Sequence, residues 1–347
     1  MRVAVSTGLG QGNREEAVSY VLEAERLGVS SVWSSEAWGT DAVTPLAYLA
    51  ARTSTIKLGT SIMQAGTRSP ALIAMTALTL AALSDDRFVL GLGTSGPQVI
   101  EGWHGVRYHR PVTRLRETVE IVRMALRGER VVYRGTVYEL PLPDGEGRAL
   151  KVAAAPRDVP IYLATLSARS LEMTGAIADG WLASAFMPDH AEAFFEPMRR
   201  GAEAAGRAFD AIDRHAGGVV AFGDDLDRLI APRKPGFAFQ IGAMGSRDHN
   251  FYKEAYERQG YGAVAQRVQT LWLEHRREEA ADLIPDEFVL KANLLGTEQM
   301  VKERLRVYRE AGVTTLHASP QGRTLAERLE TLGRLMDLVT TVNGEGA

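Results

Sequence analysis

The sequence predicts a (β/α)8 barrel, an α/β fold, on three observations. Short β-branched runs alternate with helical patterns along most of the 347 residues, glycines stand where helices must stop, and the alternation yields eight strand-and-helix units. Such an order calls for a parallel sheet with right-handed crossovers. A barrel of about 250 residues with insertions accommodates the length. The expectation is one barrel domain over 1–347, with insertions at about 128–158 and 224–290.

The units follow in order. VAVS (Val3 to Ser6) reads as the first strand, and apolar Ala17, Val18, Val21, Leu22 and Ala24 form a helical stripe between Glu15 and Leu27, which Gly28 ends. VSSVWSS is the second strand, followed by a helix from Thr44 to Arg52, strand IKLGTS, a helix from Pro70 to Leu83, strand RFVLGLG and a helix from Val112 to Leu126. VVYRGTVYEL then reads as an antiparallel hairpin turning around Arg134 and Gly135. Alternation resumes with PIYLATL, a helix near Ala168 to Ala178, strand GWLAS, a helix from Asp189 to Ala205 and strand AGGVVAF (Ala216 to Phe222). The segment from Asp224 to Pro285 is expected to form a helical cap. Thr297 caps a helix from Glu298 to Ala311, Gly312 ends it, and VTTLHA (Val313 to Ala318) is the eighth strand, with a closing helix to about Val339.

Composition narrows the function. A formal charge of −3 supplies no basic field for a nucleic acid backbone. Apolar runs such as AMTALTLAAL are too short to span a bilayer, and the first residues enter a strand without a signal-peptide pattern. The chain has no cysteine, which excludes disulfides, thiolate metal sites and Cys nucleophiles. No His/Asp/Glu pattern suggests a metal, and no G-x-S-x-G elbow suggests a hydrolase. The expected partner is a small molecule acting on a cytoplasmic protein, with no nucleic acid and no membrane.

Barrel enzymes work at the C-terminal ends of their strands. That rule selects Ser34, Ser35, Glu36, Ala37 and Trp38 after the second strand, Ser61, Ile62, Met63 and Gln64 after the third, Thr94, Ser95, Gly96, Gln98, Trp103 and His104 after the fourth, and Thr165, Leu166 and Ser167 after the fifth. Glu36 is the one carboxylate at these ends, suited either to proton handling or to a salt bridge with Arg68. His104 is the second catalytic candidate, against the alternative of a surface residue. Gly91, Gly93 and Gly96 admit close backbone approach, while Thr94 and Ser95 supply hydroxyls and Gln98 an amide. The glycines follow the fourth strand, not the first, so a Rossmann fingerprint is rejected. Ser167 opens a helix, where it is either an ordinary N-cap or part of a phosphate site. Trp38, Trp103, Phe251 and Tyr252 either line an apolar pocket or belong to a core.

The segments SSEAWGTDAVTPLAYLAARTSTIKLGTSI, RFVLGLGTSGPQVIEGWHG, RETVEIVRMALRGE and ADGWLAS, extended by IGAMGSRDHNFY and EAGVTTL, together resemble the bacterial-luciferase-like oxidoreductases. Within them the chain is similar to the coenzyme F420-dependent branch related to methylenetetrahydromethanopterin reductase. The resemblance implies hydride transfer between a deazaflavin and an organic substrate, with the ring lying across the strand ends. It implies a non-proline cis peptide at Ser61–Ile62 behind the ring, ring or side-chain contacts from Thr94, Ser95, Gly96 and Gln98, and a phosphate site at Thr165, Leu166 and Ser167. Trp38 and Trp103 would meet substrate, with Glu36 or His104 as proton partner. Many relatives carry Asp-His where this chain has Glu36-Ala37, so a histidine mechanism does not carry over at that position. The resemblance also implies a homodimer. The alternatives are an FMN-dependent monooxygenase of the same fold and, from another class, a non-catalytic F420-binding carrier.

Overall fold

In the computed structural model, which describes residues 1–9, 12–244 and 250–345, eight parallel strands close into a barrel. They are β1 (Arg2–Ser6), β2 (Ser31–Ser34), β3 (Lys57–Thr60), β4 (Phe88–Gly93), β5 (Ile161–Ala164), β6 (Gly180–Leu182), β7 (Asp213–Ala216) and β8 (Thr315–Pro320). Closure is the β8 to β1 pairing, which runs from Arg2 opposite Thr315 to Val5 opposite Ala318. Around them lie α1 (Arg14–Arg26), α2 (Val43–Ala50), α3 (Pro70–Leu83), α4 (Pro111–Leu126), α5 (Ala168–Ile177), α6 (Glu192–Ala204), α7 (Glu298–Glu310) and α8 (Leu325–Gly344).

Local chemistry explains the helix ends. The side chains of Asn13, Ser69, Ser167, Thr297 and Thr324 each accept a first-turn backbone N–H, satisfying donors a helix cannot use internally. Gly28 and Gly312, at φ of +85° and +93°, turn the chain out of α1 and α7.

The barrel interior alternates large and small residues. Ala4, Trp33, Val89, Tyr162 and Leu182 form its buried cluster, with Ile62 and Ala164 packed on top. Trp33 occupies the space beside Gly59, where an added Cβ would come within 2.3 Å of the indole. Below them Asp213 is held by Arg2 at 2.8 Å and by the hydroxyls of Tyr162 at 2.7 Å and Thr315 at 2.8 Å.

The seventh strand differs from expectation. The barrel strand is Asp213–Ala216, and the chain breaks at Gly217 and Gly218 before a separate strand, Val219–Phe222, pairs with Leu294–Gly296 and with the end of β8. DRHA has the composition of a loop, but Asp213 and Arg214 have polar partners here and His215 packs edge-on to Trp33. Asp213 faces the inner network, and Arg214 turns outward to the carbonyls of Phe209, Ile212 and Gly312. Leu294–Gly296 is a strand the sequence pattern did not signal.

The hairpin forms as Tyr133–Arg134 against Glu139–Leu140. Its turn is held from below by buried Glu117 of α4, whose carboxylate accepts the backbone N–H groups of Thr136, Val137 and Tyr138 at 2.7–2.9 Å. Among the described residues the later insertion carries the helices Leu226–Ile230, Lys234–Ala243, Phe251–Tyr256, Gly262–Leu273, Arg277–Asp282 and Asp286–Ala292, with Lys234–Ala243 packed on Gly262–Leu273.

Candidate active site

At the C-terminal ends of β2 to β6 the chain encloses a cavity of about 690 Å³, within the range of small-molecule sites. Thirteen of the eighteen sequence-selected residues line it, Glu36, Ala37, Trp38, Ser61, Ile62, Thr94, Ser95, Gly96, Gln98, Trp103, Thr165, Leu166 and Ser167, while Ser34, Ser35, Met63, Gln64 and His104 do not.

The floor is built by the β3 end. The Ser61–Ile62 peptide bond is cis, and the short strand Met63–Gln64 that follows pairs with β4 opposite Leu92 and Gly93. Ile62 lies over the barrel core and against Gly93, where an added Cβ would approach its Cγ1 to 3.0 Å. An apolar ledge therefore stands beside a glycine.

The next wall is the loop after β4. Ser95 adopts a left-handed conformation, φ 54°, of the kind polar residues tolerate better than bulky ones. Tyr108 clamps the loop, its hydroxyl 3.4 Å from that of Thr94 and donating to the Ser95 carbonyl at 3.1 Å. Burial pushes the Tyr108 phenol up, so it stays protonated and keeps that donor. Opposite, Ser167 is the N-cap of α5, its Oγ accepting from Ser170 N at 3.3 Å. Ser167 and Ser170 both line the cavity, so the helix N-terminus, with its N-cap formed, opens on it.

Glu36 is fully engaged. One carboxylate oxygen accepts Gln64 N at 2.9 Å and Arg68 Nη1, and the other accepts Ala42 N at 3.1 Å and Arg68 Nη2 at 3.0 Å. Four donors fill the acceptor sites of a carboxylate. The salt bridge with Arg68 is the alternative that forms, tying the end of β2 to the segment after Ile62. His104 is exposed and borders a side pocket of about 300 Å³ with Trp38, Asp41, Arg68 and Trp103, away from the main floor.

Sequence reasoning missed Tyr108, Leu182, Ser184 and Phe239 as lining residues. Leu182 and Ser184 sit on and just past the short sixth strand, and placing them by the strand-end rule would have found them. Phe251 and Tyr252 of the insertion do border the cavity. Residues 245–249 of the IGAMGSRDHNFY stretch lie outside the described residues. Among the described residues no group of His, Asp and Glu is placed to hold a metal.

The model of the family described as luciferase-like monooxygenase matches residues 1–315. The chain belongs to the luciferase-like monooxygenase family. It is 39% identical over 319 residues to a Mycobacterium tuberculosis protein named as a coenzyme F420-dependent oxidoreductase, covering 88% of this chain and 92% of that one. It is 28% identical over 317 residues to 5,10-methylenetetrahydromethanopterin reductase of Archaeoglobus fulgidus, covering 91% and 92%. Among solved structures of this fold, the coenzyme F420-dependent tetrahydromethanopterin reductase of Methanopyrus kandleri superposes with a TM-score of 0.78 at 24% identity, over 96% of this chain and 97% of the other. That likeness establishes the barrel as the shared fold.

Proposed function

We propose that the protein is a coenzyme F420-dependent oxidoreductase that passes a hydride between the deazaflavin and a small organic substrate. One observation carries the cofactor's place: the ledge of Ser61 and Ile62, Gly93 packed beside it and the Ser167 helix end all face one cavity. A flat ring needs an apolar backing, and Ile62 supplies it. A polar side chain and phosphate need hydroxyls and free N–H groups, which Thr94, Ser95, Gly96, Gln98, Thr165, Leu166, Ser167 and the start of α5 supply. The deazaflavin carries carbon where a flavin has N5, so it supplies hydride chemistry without activating oxygen.

The chain's own residues position and shield. Phe239, Phe251 and Tyr252 cover the cavity from the insertion side, limiting water at the reacting carbon. Trp38 and Trp103, 57% and 67% exposed, stand at the mouth where a substrate enters. Glu36 holds the wall with Arg68 in place of moving a proton, and His104 serves the rim. Excursions 128–158 and 224–290 belong to the same single domain, and the protein works in the cytoplasm.

Titration with coenzyme F420 and separately with FMN tests the assignment, read by deazaflavin fluorescence and flavin absorbance. Saturable F420 binding with weaker or absent FMN binding is expected, and tighter FMN binding overturns it in favour of the monooxygenase alternative. Reduced F420 bound without turnover across a broad substrate panel supports the carrier instead.

The protein is further proposed to form a homodimer through α3. PALIAMTALTLAAL contains no charged residue, and Leu72, Met75, Thr79 and Leu83 recur at helical spacing on its exposed face, with exposed Tyr48 on neighbouring α2. A helix apolar all round is ordinarily covered, and a second copy covers it symmetrically. Met75→Glu is expected to shift the protein from dimer to monomer in sedimentation analysis while the barrel stays folded. An unchanged sedimentation coefficient would remove α3 from the interface.

A further inference from the structure

On the insertion side of the cavity stand a hydroxyl and a phenol to which no chemistry has yet been given. Ser184, two residues past the end of β6, and Tyr252, in the helix Phe251–Tyr256, both line the cavity. Leu182 packs in the same interior cluster as Ile62, so the segment carrying Ser184 leaves the barrel beside the cofactor ledge. Asn250 anchors the phenol. It is 3% exposed, its amide donates to the Ile241 carbonyl at 2.5 Å, and its Oδ1 accepts Lys253 N at 3.0 Å. Tyr252 is thereby tied to the helix Lys234–Ala243 where it borders the cavity.

Behind Ser184 runs a chain of hydrogen bonds. The Tyr256 hydroxyl donates to Gln240 Oε1, and Gln240 Nε2 donates to Ser184 Oγ at 3.3 Å. Tyr256 is 1% exposed, and a reversed Gln240 amide would set its buried O–H against an N–H group, which fixes the end that faces Ser184. With Gln240 donating into its oxygen, Ser184 keeps its own O–H for Tyr252. Burial raises the Tyr252 phenol, and the Ser184 hydroxyl draws it part of the way back. The phenols of Tyr108 and Tyr256, which feel its charge, are also raised by burial, so all three are neutral near pH 7.

The described lining of the cavity holds three ionisable side chains, Glu36, Tyr108 and Tyr252. Glu36 is filled by four donors, and Tyr108 gives its proton to the Ser95 carbonyl. The Tyr252 O–H remains for a ligand.

Given the F420-dependent oxidoreductase proposed above, we propose that Tyr252 supplies the proton that accompanies hydride transfer, that Ser184 positions it, and that the enzyme works in the direction of substrate reduction. Hydride forms a bond to one atom of a polarised double bond in the substrate, the π pair moves onto the neighbouring atom, and that atom takes the proton from Tyr252 Oη. The substrate gains the two electrons that the reduced cofactor loses, and solvent at the mouth returns a proton to the phenolate. Tyr252 touches substrate. Ser184 is a positioning residue whose O–H donates to the phenolate as it forms. The direction follows from the resting state: a neutral phenol is ready as an acid, and no lining carboxylate is open as a base.

The test uses the full chain with reduced F420 and two hydride acceptors, menadione and 2-cyclohexen-1-one, beside Tyr252→Phe, Ser184→Ala and Ser184→Thr. The single-turnover rate of F420 oxidation is expected to fall about 100-fold in Tyr252→Phe, the lower end of what a positioned acid contributes, with acceptor KM and F420 affinity retained. Ser184→Ala should lose about tenfold, and Ser184→Thr should restore most of it. A readout independent of turnover is the carbon-13 NMR titration of the Tyr252 ring in cofactor-free protein, assigned by its loss in Tyr252→Phe. Ser184→Ala should move its midpoint upward, because the donor to the phenolate is gone; an unmoved midpoint overturns the role of Ser184. Intact F420 binding with an unchanged single-turnover rate in Tyr252→Phe overturns the acid. Wild type that binds reduced F420 but passes hydride to neither acceptor overturns the assignment as a reductase, whereas failure to bind F420 overturns the cofactor reading on which it rests.

Discussion

Arg68→Met is expected to destabilise the protein by about 3 kcal/mol and to weaken F420 binding at least tenfold. The size comes from the setting of the ion pair, with side-chain exposures of 20% at Arg68 and 8% at Glu36. Removing one partner of a buried pair typically costs about 3–5 kcal/mol because the other charge is left uncompensated, and Arg68's residual contact with solvent places this case at the lower end. The affinity loss follows from what Glu36 anchors. Its oxygens accept Ala42 N at the start of α2 and Gln64 N two residues beyond Ile62, so a displaced carboxylate releases the segment that carries the cofactor ledge. Urea unfolding and F420 titration measure the two effects, and Glu36→Gln separates their meaning. A strut predicts that stability and affinity fall together in both variants. A proton carrier predicts that Glu36→Gln keeps both and loses hydride transfer.

How legible this was depends on which force dominates each segment. Helices with an apolar stripe and a capping side chain, such as α3 behind Ser69 and α7 behind Thr297, follow from local chemistry and were read within a residue or two. Strand β7 was displaced because DRHA is polar, and its partners, Tyr162 and Thr315, are distant in sequence and meet Asp213 only once the barrel closes. The cavity was legible because the strand-end rule places whole loops, and thirteen of the eighteen selected residues line it. Its chemistry was less so. Glu36 shows as an acid in the sequence, but the four donors that fill it come from two segments, the start of α2 and the stretch from Gln64 to Arg68. His104 sat in a suggestive motif and ended on an exposed rim.

Gly91→Ala and Gly93→Ala, two residues apart on β4, are expected to fail in different ways. A Cβ on Gly91 would meet the Thr60 carbonyl oxygen at 1.8 Å and a Leu182 methyl at 2.9 Å. The oxygen belongs to the neighbouring strand's backbone and cannot rotate away. The same site carries the Thr60 hydroxyl's paired hydrogen bonds to Gly91 O and N, at 2.8 and 2.9 Å. Separating β3 from β4 breaks both, so the loss should exceed the usual cost of overpacking, about 1–3 kcal/mol, and the variant should be largely unfolded at 37 °C. A Cβ on Gly93 has Ile62 as its nearest neighbour, at 3.0 Å from Cγ1 and 3.1 Å from Cδ1. An isoleucine side chain can give by a few tenths of an ångström, so Gly93→Ala should fold with a loss near 1 kcal/mol. Ile62 and Gly93 both line the cavity, so a shifted Ile62 and the new methyl both alter the same wall. Gly93→Ala should therefore weaken F420 more than its small loss of stability suggests, with the deficit in affinity and not in fold. Circular dichroism melting beside F420 titration reads both variants. A stable Gly91→Ala, or a Gly93→Ala that binds F420 like the parent chain, would mean that the two glycines do not divide the work between barrel closure and cofactor space.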